Sequence, residues 1–222
     1  MTQKTALNTI EFYFDPISPY AWLASARLDE ISEVSGASII AKPVLFAGLL
    51  NAHGNLGPAE IPAKRAYIFR DVMRRATTLG LQLEGPPGHP FNPLLSLRIC
   101  TAIKDDAQRL DTAIALCHSA WADGQDLTDT QSIRRICTVC GLDADWALAA
   151  ANDTEVKQQL IDNTAAAADL GIFGVPTFRV DDQIFWGEDR IDELLHYIDG
   201  QRIDEGKLAA ILSRKEAARR RQ

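Results

Sequence analysis

The sequence predicts an α/β fold in which a mixed β-sheet flanked by helices is split by a large all-helical insertion. Three observations predict it. Strand-like alternation occurs only toward the two ends of the 222 residues, and helical periodicity fills the stretch from about 48 to 170. A β–α–β order at the start argues for a parallel strand pair. A late pair of short strands joined by two residues reads as an antiparallel hairpin.

Taken in order, Ile10 to Asp15 alternates, with Ile10, Phe12 and Phe14 on one face, the pattern of a strand packed on a core. Pro16 and Pro19 bracket Ser18 and end it. The run from Pro19 to Val34 carries Trp22, Leu23, Ala26, Leu28 and Ile31 and stops at Gly36. Ser before the first turn, Pro inside it and Gly past the end punctuate one helix. A second strand spans Ser38 to Phe46, its Pro43 placing it at an edge or a bulge. The helical block then offers Ile61 to Leu79, the loop EGPPGHPFNP, and helices around 94–105, 107–122, 129–140 and 153–169. Strands return at Pro176 to Val180 and Gln183 to Trp186 around an Asp181-Asp182 turn, and Asp189 to Ile198 forms a last helix. The expected division is residues 1–47 and 171–213 for the sheet domain, 48–170 for the helical insertion and 214–222 for a basic tail.

Composition narrows the function. With 46% hydrophobic and 24% charged residues the chain is not disordered, and at this length it buries roughly 70–75% of its unfolded surface without a staple. No stretch approaches a membrane span and the N-terminus lacks a secretory core, so the cytoplasm is expected. Four cysteines are too sparse for a disulfide framework and are read as thiols. The net charge is −7, yet residues 214–222 carry five basic residues against one acidic, leaving −11 on the rest. A body that acidic argues against nucleic-acid binding. The basic end reads as a frayed terminus.

Ser18 stands where the first strand feeds a helix. The plainer reading makes it an N-cap. The functional reading adds that a hydroxyl and a helix N-terminus together hold a thiolate. Gly174-Val175-Pro176-Thr177-Phe178 places a proline at the opening of a strand, where a cis peptide normally has a purpose.

Together FYFDPISPYAWLA, GVPTF and FWGEDRIDEL resemble the 2-hydroxychromene-2-carboxylate isomerases. With the kappa-class glutathione transferases these form a branch of the DsbA-like thioredoxin fold. The resemblance covers nearly the whole chain, including NLGPAEIPAKRAY and GPPGHPFNP, and implies a thioredoxin-like sheet carrying the helical insertion. Where DsbA-type oxidoreductases have Cys-Pro-x-Cys, this chain has Ser18-Pro19-Tyr20-Ala21. Both sulfurs are missing, which excludes thiol–disulfide exchange at this position.

The resemblance implies that the sulfur is borrowed from glutathione, with Ser18 donating to it. It further implies backbone pairing of the cysteinyl part at Val175 beside Pro176 and the γ-glutamyl group at Asp189 and Arg190. Lys64 is expected at the glycine carboxylate, and Glu60 stands where some relatives have Asn. The implied reaction interconverts hydroxychromene carboxylates and open benzylidenepyruvates, in a homodimer. His89, Phe91, Asn92 and Trp186 are the candidate contacts for a small aromatic carboxylate substrate. The plainer reading makes His89 and Asn92 surface-loop residues and Trp186 a core aromatic. Other readings are a kappa-type transferase or peroxidase and a thioredoxin-fold binding module without chemistry.

Cys137 and Cys140 have C-x-x-C spacing but lie in the helical block without a second pair, so they read as buried helix-face residues rather than half a zinc site. His53, His89, His118 and His196 show no metal-ligand spacing, so no metal is expected. No G-x-S-x-G elbow and no phosphate loop occurs.

Overall fold

In the computed structural model, which describes residues 9–215, strand β1 (Thr9–Phe14) runs through the middle of a four-stranded sheet. It pairs in parallel with β2 (Ser38–Pro43) and antiparallel with β3 (Thr177–Val180), which makes a hairpin with β4 (Gln183–Trp186). The order β2-β1-β3-β4 is the mixed sheet that the sequence predicts. Pro43 closes β2 on an edge, where its missing N–H leaves no ladder gap. Asp181 takes the left-handed conformation, with φ of 51°, that turns the hairpin. Most of the basic end at 214–222 lies outside the described residues.

The single helix expected from Pro19 to Val34 is two: α1 (Pro19–Ser25) and α2 (Leu28–Ser35). The break falls at Arg27. Its guanidinium reaches Glu30, the buried Glu188 and Asp192, anchors that no local pattern reveals. The strand expected to reach Phe46 stops at Pro43. Phe46 instead opens α3 (Phe46–Ala52), with its N–H on the Asp15 carboxylate at 2.9 Å.

A short 3-10 turn (Pro58–Glu60) leads into α4 (Pro62–Thr78). Then come α5 (Leu94–Ala102), α6 (Asp106–Trp121), α7 (Thr130–Val139), α8 (Ala144–Ala150) and α9 (Thr154–Asp169). Asp105, Asp129, Asp143 and Asp153 cap the last four of these through their carboxylates. After β4 a second 3-10 turn (Glu188–Arg190) replaces the first turn of the expected helix, and α10 (Ile191–Ile198) follows. An eight-residue helix, α11 (Glu205–Leu212), was not expected; none of its side chains is buried.

Each face of the sheet has its own core. Phe12 stacks between Phe14 and Phe178 on one face, at 5.6 and 5.2 Å between ring centres. This core continues without a break through Trp22 into Val72, Leu116, Trp121 and Ile133 of the insertion. On the other face Tyr13, Val44 and Ile172 pack with Leu49 of α3 and Ala167 of α9. Covered on both sides, the sheet leaves Ser18 at the end where β1 stops and α1 begins.

Candidate functional site

The turn from β1 into α1 is Asp15-Pro16-Ile17-Ser18. The Asp15 carboxylate is fully buried and accepts from the Ile17 N–H at 3.0 Å and the Phe46 N–H at 2.9 Å. Ser18 N–H donates to the Asp15 carbonyl at 3.0 Å. Ser18 is the N-cap of α1: it has extended backbone angles and its hydroxyl oxygen accepts from Ala21 N–H at 3.3 Å. The plainer reading of Ser18 is therefore true. The same hydroxyl donates to the Val175 carbonyl at 3.2 Å, a contact across 157 positions of sequence that capping does not require.

Burial raises the Asp15 carboxyl to about 7, against the two backbone N–H groups that favour its charge. A carboxyl whose folded value lies above its unfolded one binds more protons in the native state. Its contribution to stability is therefore full below about pH 4 and is lost as pH rises to about 7. Asp15→Asn is expected to become steadily less destabilising relative to the parent across that window. Urea unfolding at a series of pH values checks this, and a pH-independent difference would contradict it.

Val175–Pro176 is a cis peptide, as the motif led one to expect. Among the described residues no strand pairs with Gly174–Pro176. Pro176 carbonyl accepts from Gly187 N–H at 2.9 Å, which binds the loop after β4 to this segment. Gly187 has φ of 110°, open to glycine at no steric cost. Trp186 lies over Gly174, where a β-carbon would stand 2.5 Å from the indole nitrogen. Its half-exposed ring meets Phe173 edge-on at 4.8 Å.

Ser18, Val175 and Pro176 are thus brought together. Asp189 is exposed on the 3-10 turn that packs on α1, close enough to Tyr20 to help raise its phenol above the ordinary range, though burial and the Asp71 contact act more strongly. Arg190 pairs with Asp189 and Glu193. Lys64 stands exposed in the first turn of α4. His89 is half-buried, its Nε2 3.1 Å from the Ile17 carbonyl. Phe91 packs on the main core. Asn92 caps Leu94 N–H and lines a depression with Arg98, Thr128 and Asn152; no contact joins it to Ser18.

Four features beside the site went unread in the sequence: Asp15, the Tyr20–Asp71 hydrogen bond of 2.8 Å, the Trp121 indole donating to Pro16 carbonyl at 2.9 Å, and Glu188. Glu188 is fully buried just before Asp189. It accepts from Arg27 at 3.4 Å and from Arg75 Nε at 2.7 Å. This ties the loop after β4 to the α1–α2 junction and to α4. FWGEDRIDEL carries four acidic residues and nothing local sets Glu188 apart, since the arginines lie far away in sequence.

Residues 9–199 match the family model described as DSBA-like thioredoxin domain. The chain belongs to the DsbA-like thioredoxin family. Within that family it is similar to the 2-hydroxychromene-2-carboxylate isomerase of Sphingobium xenophagum, at 31% identity over 86% of this chain and 98% of the relative. It is also similar to human glutathione S-transferase kappa 1, at 28% identity over 86% of this chain and 91% of that one. A solved 2-hydroxychromene-2-carboxylate isomerase shares the fold with a TM-score of 0.81, covering 93% of this chain and all of that one at 24% identity.

In this DsbA-like chain no cysteine stands in the Ser18–Ala21 turn. Cys100, Cys117 and Cys137 are buried and Cys140 is half-buried, all as free thiols, and burial pushes each of them up and away from the thiolate form. No group of described His, Cys, Asp or Glu side chains is arranged to hold a metal ion, and no described helix is long and apolar enough to cross a membrane.

Proposed function

We propose that this chain is a glutathione-dependent isomerase interconverting 2-hydroxychromene-2-carboxylate-type compounds and open trans-benzylidenepyruvates. The observation that carries the reading is the Ser18 hydroxyl, buried and 3.2 Å from the Val175 carbonyl, at a helix start that holds no cysteine of the chain's own. The residues present fit a thiol tripeptide. A hydroxyl donor faces a backbone segment without a ladder partner, with a carboxylate at Asp189 and a cation at Lys64 on neighbouring elements. Bound glutathione would supply the thiolate that adds to the conjugated carbon, turning a double bond into a rotatable single bond, and that leaves after rotation.

Ser18 gives up its bond to Val175 and donates to the sulfur, favouring the charged form. Val175 pairs with the cysteinyl backbone, Asp189 receives the γ-glutamyl ammonium with Arg190 beside its carboxylate, and Lys64 faces the glycine carboxylate. Trp186, meeting Phe173 edge-on, offers an aromatic surface over Gly174, beside Val175, for a fused-ring substrate. The four free thiols support a reducing compartment such as the cytoplasm, and a homodimer is the assembly proposed.

Calorimetry with glutathione is the first test: absence of binding overturns the reading in favour of a thioredoxin-fold binding module. Similarity to the human kappa transferase favours one alternative, a transferase or peroxidase that uses the same site and consumes glutathione. Incubation with 2-hydroxychromene-2-carboxylate, following the open pyruvate while total thiol is assayed, separates the two. The isomerase converts substrate with thiol unchanged; stoichiometric loss of thiol identifies the transferase.

A further inference from the structure

We propose that Trp121 and His89, both supplied by the helical insertion, are positioning residues that fix the Ser18 hydroxyl by holding the two carbonyls behind it. The proposal rests on the glutathione reading and assigns these two side chains a role within it.

The turn before Ser18 has few polar groups and each is engaged. Pro16 has no N–H, and its carbonyl accepts from the Trp121 indole at 2.9 Å. Ile17 N–H goes to the Asp15 carboxylate, and the Ile17 carbonyl lies 3.1 Å from His89 Nε2. Ser18 N–H goes to the Asp15 carbonyl. The Ile17 carbonyl and the Ser18 N–H belong to one rigid peptide unit, so holding the oxygen sets the plane from which the Ser18 side chain departs. A free carbonyl there could rotate its negative end toward the sulfur site; one held by a packed ring cannot.

The chemistry of His89 singles out this use. A carbonyl oxygen only accepts, so Nε2 must carry the proton and Nδ1 is a bare acceptor. Nδ1 is buried without a hydrogen-bond partner. Burial, aided by nearby Arg65 and opposed by the Ile17 contact, lowers the basicity of the ring and so favours its neutral form. The ring is therefore seated by its contact with Ile17 and by its neighbours, at a cost in unsatisfied polarity that buried groups normally avoid. Those neighbours are Trp121 at 5.3 Å and Phe69 of α4 at 5.5 Å between ring centres. The two donors form one packed unit, and its hydrogen bonds to the turn before Ser18 go to backbone carbonyls.

The test uses the full chain. With glutathione bound, the ultraviolet absorbance of the thiolate is followed against pH for the parent, Trp121→Phe, His89→Phe and His89→Gln. Each phenylalanine variant keeps a ring and loses the donor, and is expected to lower the thiolate fraction at a given pH about threefold to tenfold. Binding of S-methylglutathione, which has no thiol to ionise, is expected to change by less than about twofold. His89→Gln retains an N–H and is expected to recover part of the loss. Without ligand, amide exchange at Ser18 is expected to accelerate in both phenylalanine variants.

Thiol titrations matching the parent overturn the proposal, as does S-methylglutathione weakening in step with glutathione, which would mark general damage to the site. If the parent binds no glutathione, the functional reading falls. The positioning of Ser18 is then decided by exchange alone, and unchanged exchange overturns it.

Discussion

Arg75→Ala is expected to destabilise the protein by up to about 3–5 kcal/mol, the range for removing one partner of a buried ion pair, because it takes from the Glu188 carboxylate its nearer partner. Glu188 has no exposed side-chain surface, and Arg75 makes its closest contacts, whereas Arg27 stands at 3.4 Å and shares itself with Glu30 and Asp192. The asymmetry predicts an order of effects. Glu188→Ala leaves two arginines, one of them partly in solvent and the other with carboxylates to spare, so it is expected to cost less than Arg75→Ala. The double variant should then be milder than the sum of the two, because the charge that Arg75→Ala strands has also been removed. Urea unfolding of the four proteins measures this, and additive losses would mean that Arg75 acts through packing instead.

Ser18→Ala carries the second large effect. Loss of a hydrogen bond to a charged group is worth about 1.5–3 kcal/mol, which on the proposed glutathione reading raises the thiol pKa of the bound tripeptide by about 1–2 units. Alanine also removes the cap on α1, at about 0.5–2 kcal/mol of stability. Ser18→Gly separates the two, since glycine caps almost as well but has no hydroxyl. The expected result is a near-parent unfolding midpoint with a thiol titration displaced as far as in Ser18→Ala. A parent-like titration in either variant would remove Ser18 from the role proposed for it.

The parts of the fold that were legible are those written in contiguous residues. The alternation Ile10, Phe12, Phe14 and the Gln183–Trp186 strand with its Asp181 turn appear where read. So does α4, between Pro62 and Gly80. The apolar run after Pro43 reads as more strand because a short run lacks the length to show its period; the Asp15 carboxylate, 31 positions upstream of Phe46, opens a helix there instead. The break at Arg27 has the same origin, a carboxylate 161 positions away.

At the site, Ser18 and Pro176 were legible because each sits in a local motif with its own backbone chemistry. Trp121 and Glu188 were not. An indole within a helix and an acid in a loop look like an ordinary core residue and a solvated charge until the fold brings Pro16 and Arg75 to them.

The antiparallel pairing of β1 with β3 sets Phe12 opposite Phe178 and Tyr13 opposite Thr177. The strand made first therefore waits for one made near the end of synthesis. At about 5–20 residues per second the ribosome takes roughly 10–30 s to cover that interval. During this time β1 can pair with β2 but presents the unpaired backbone of its other edge, and the face that carries Phe12 and Phe14, to whatever it meets. Ser18 waits as well, since Val175 does not yet exist. A chain cut short before β3 has a half-sheet and no Ser18–Val175 contact, so in the cell the end of the sheet that carries Ser18 is completed late and is lost by premature termination.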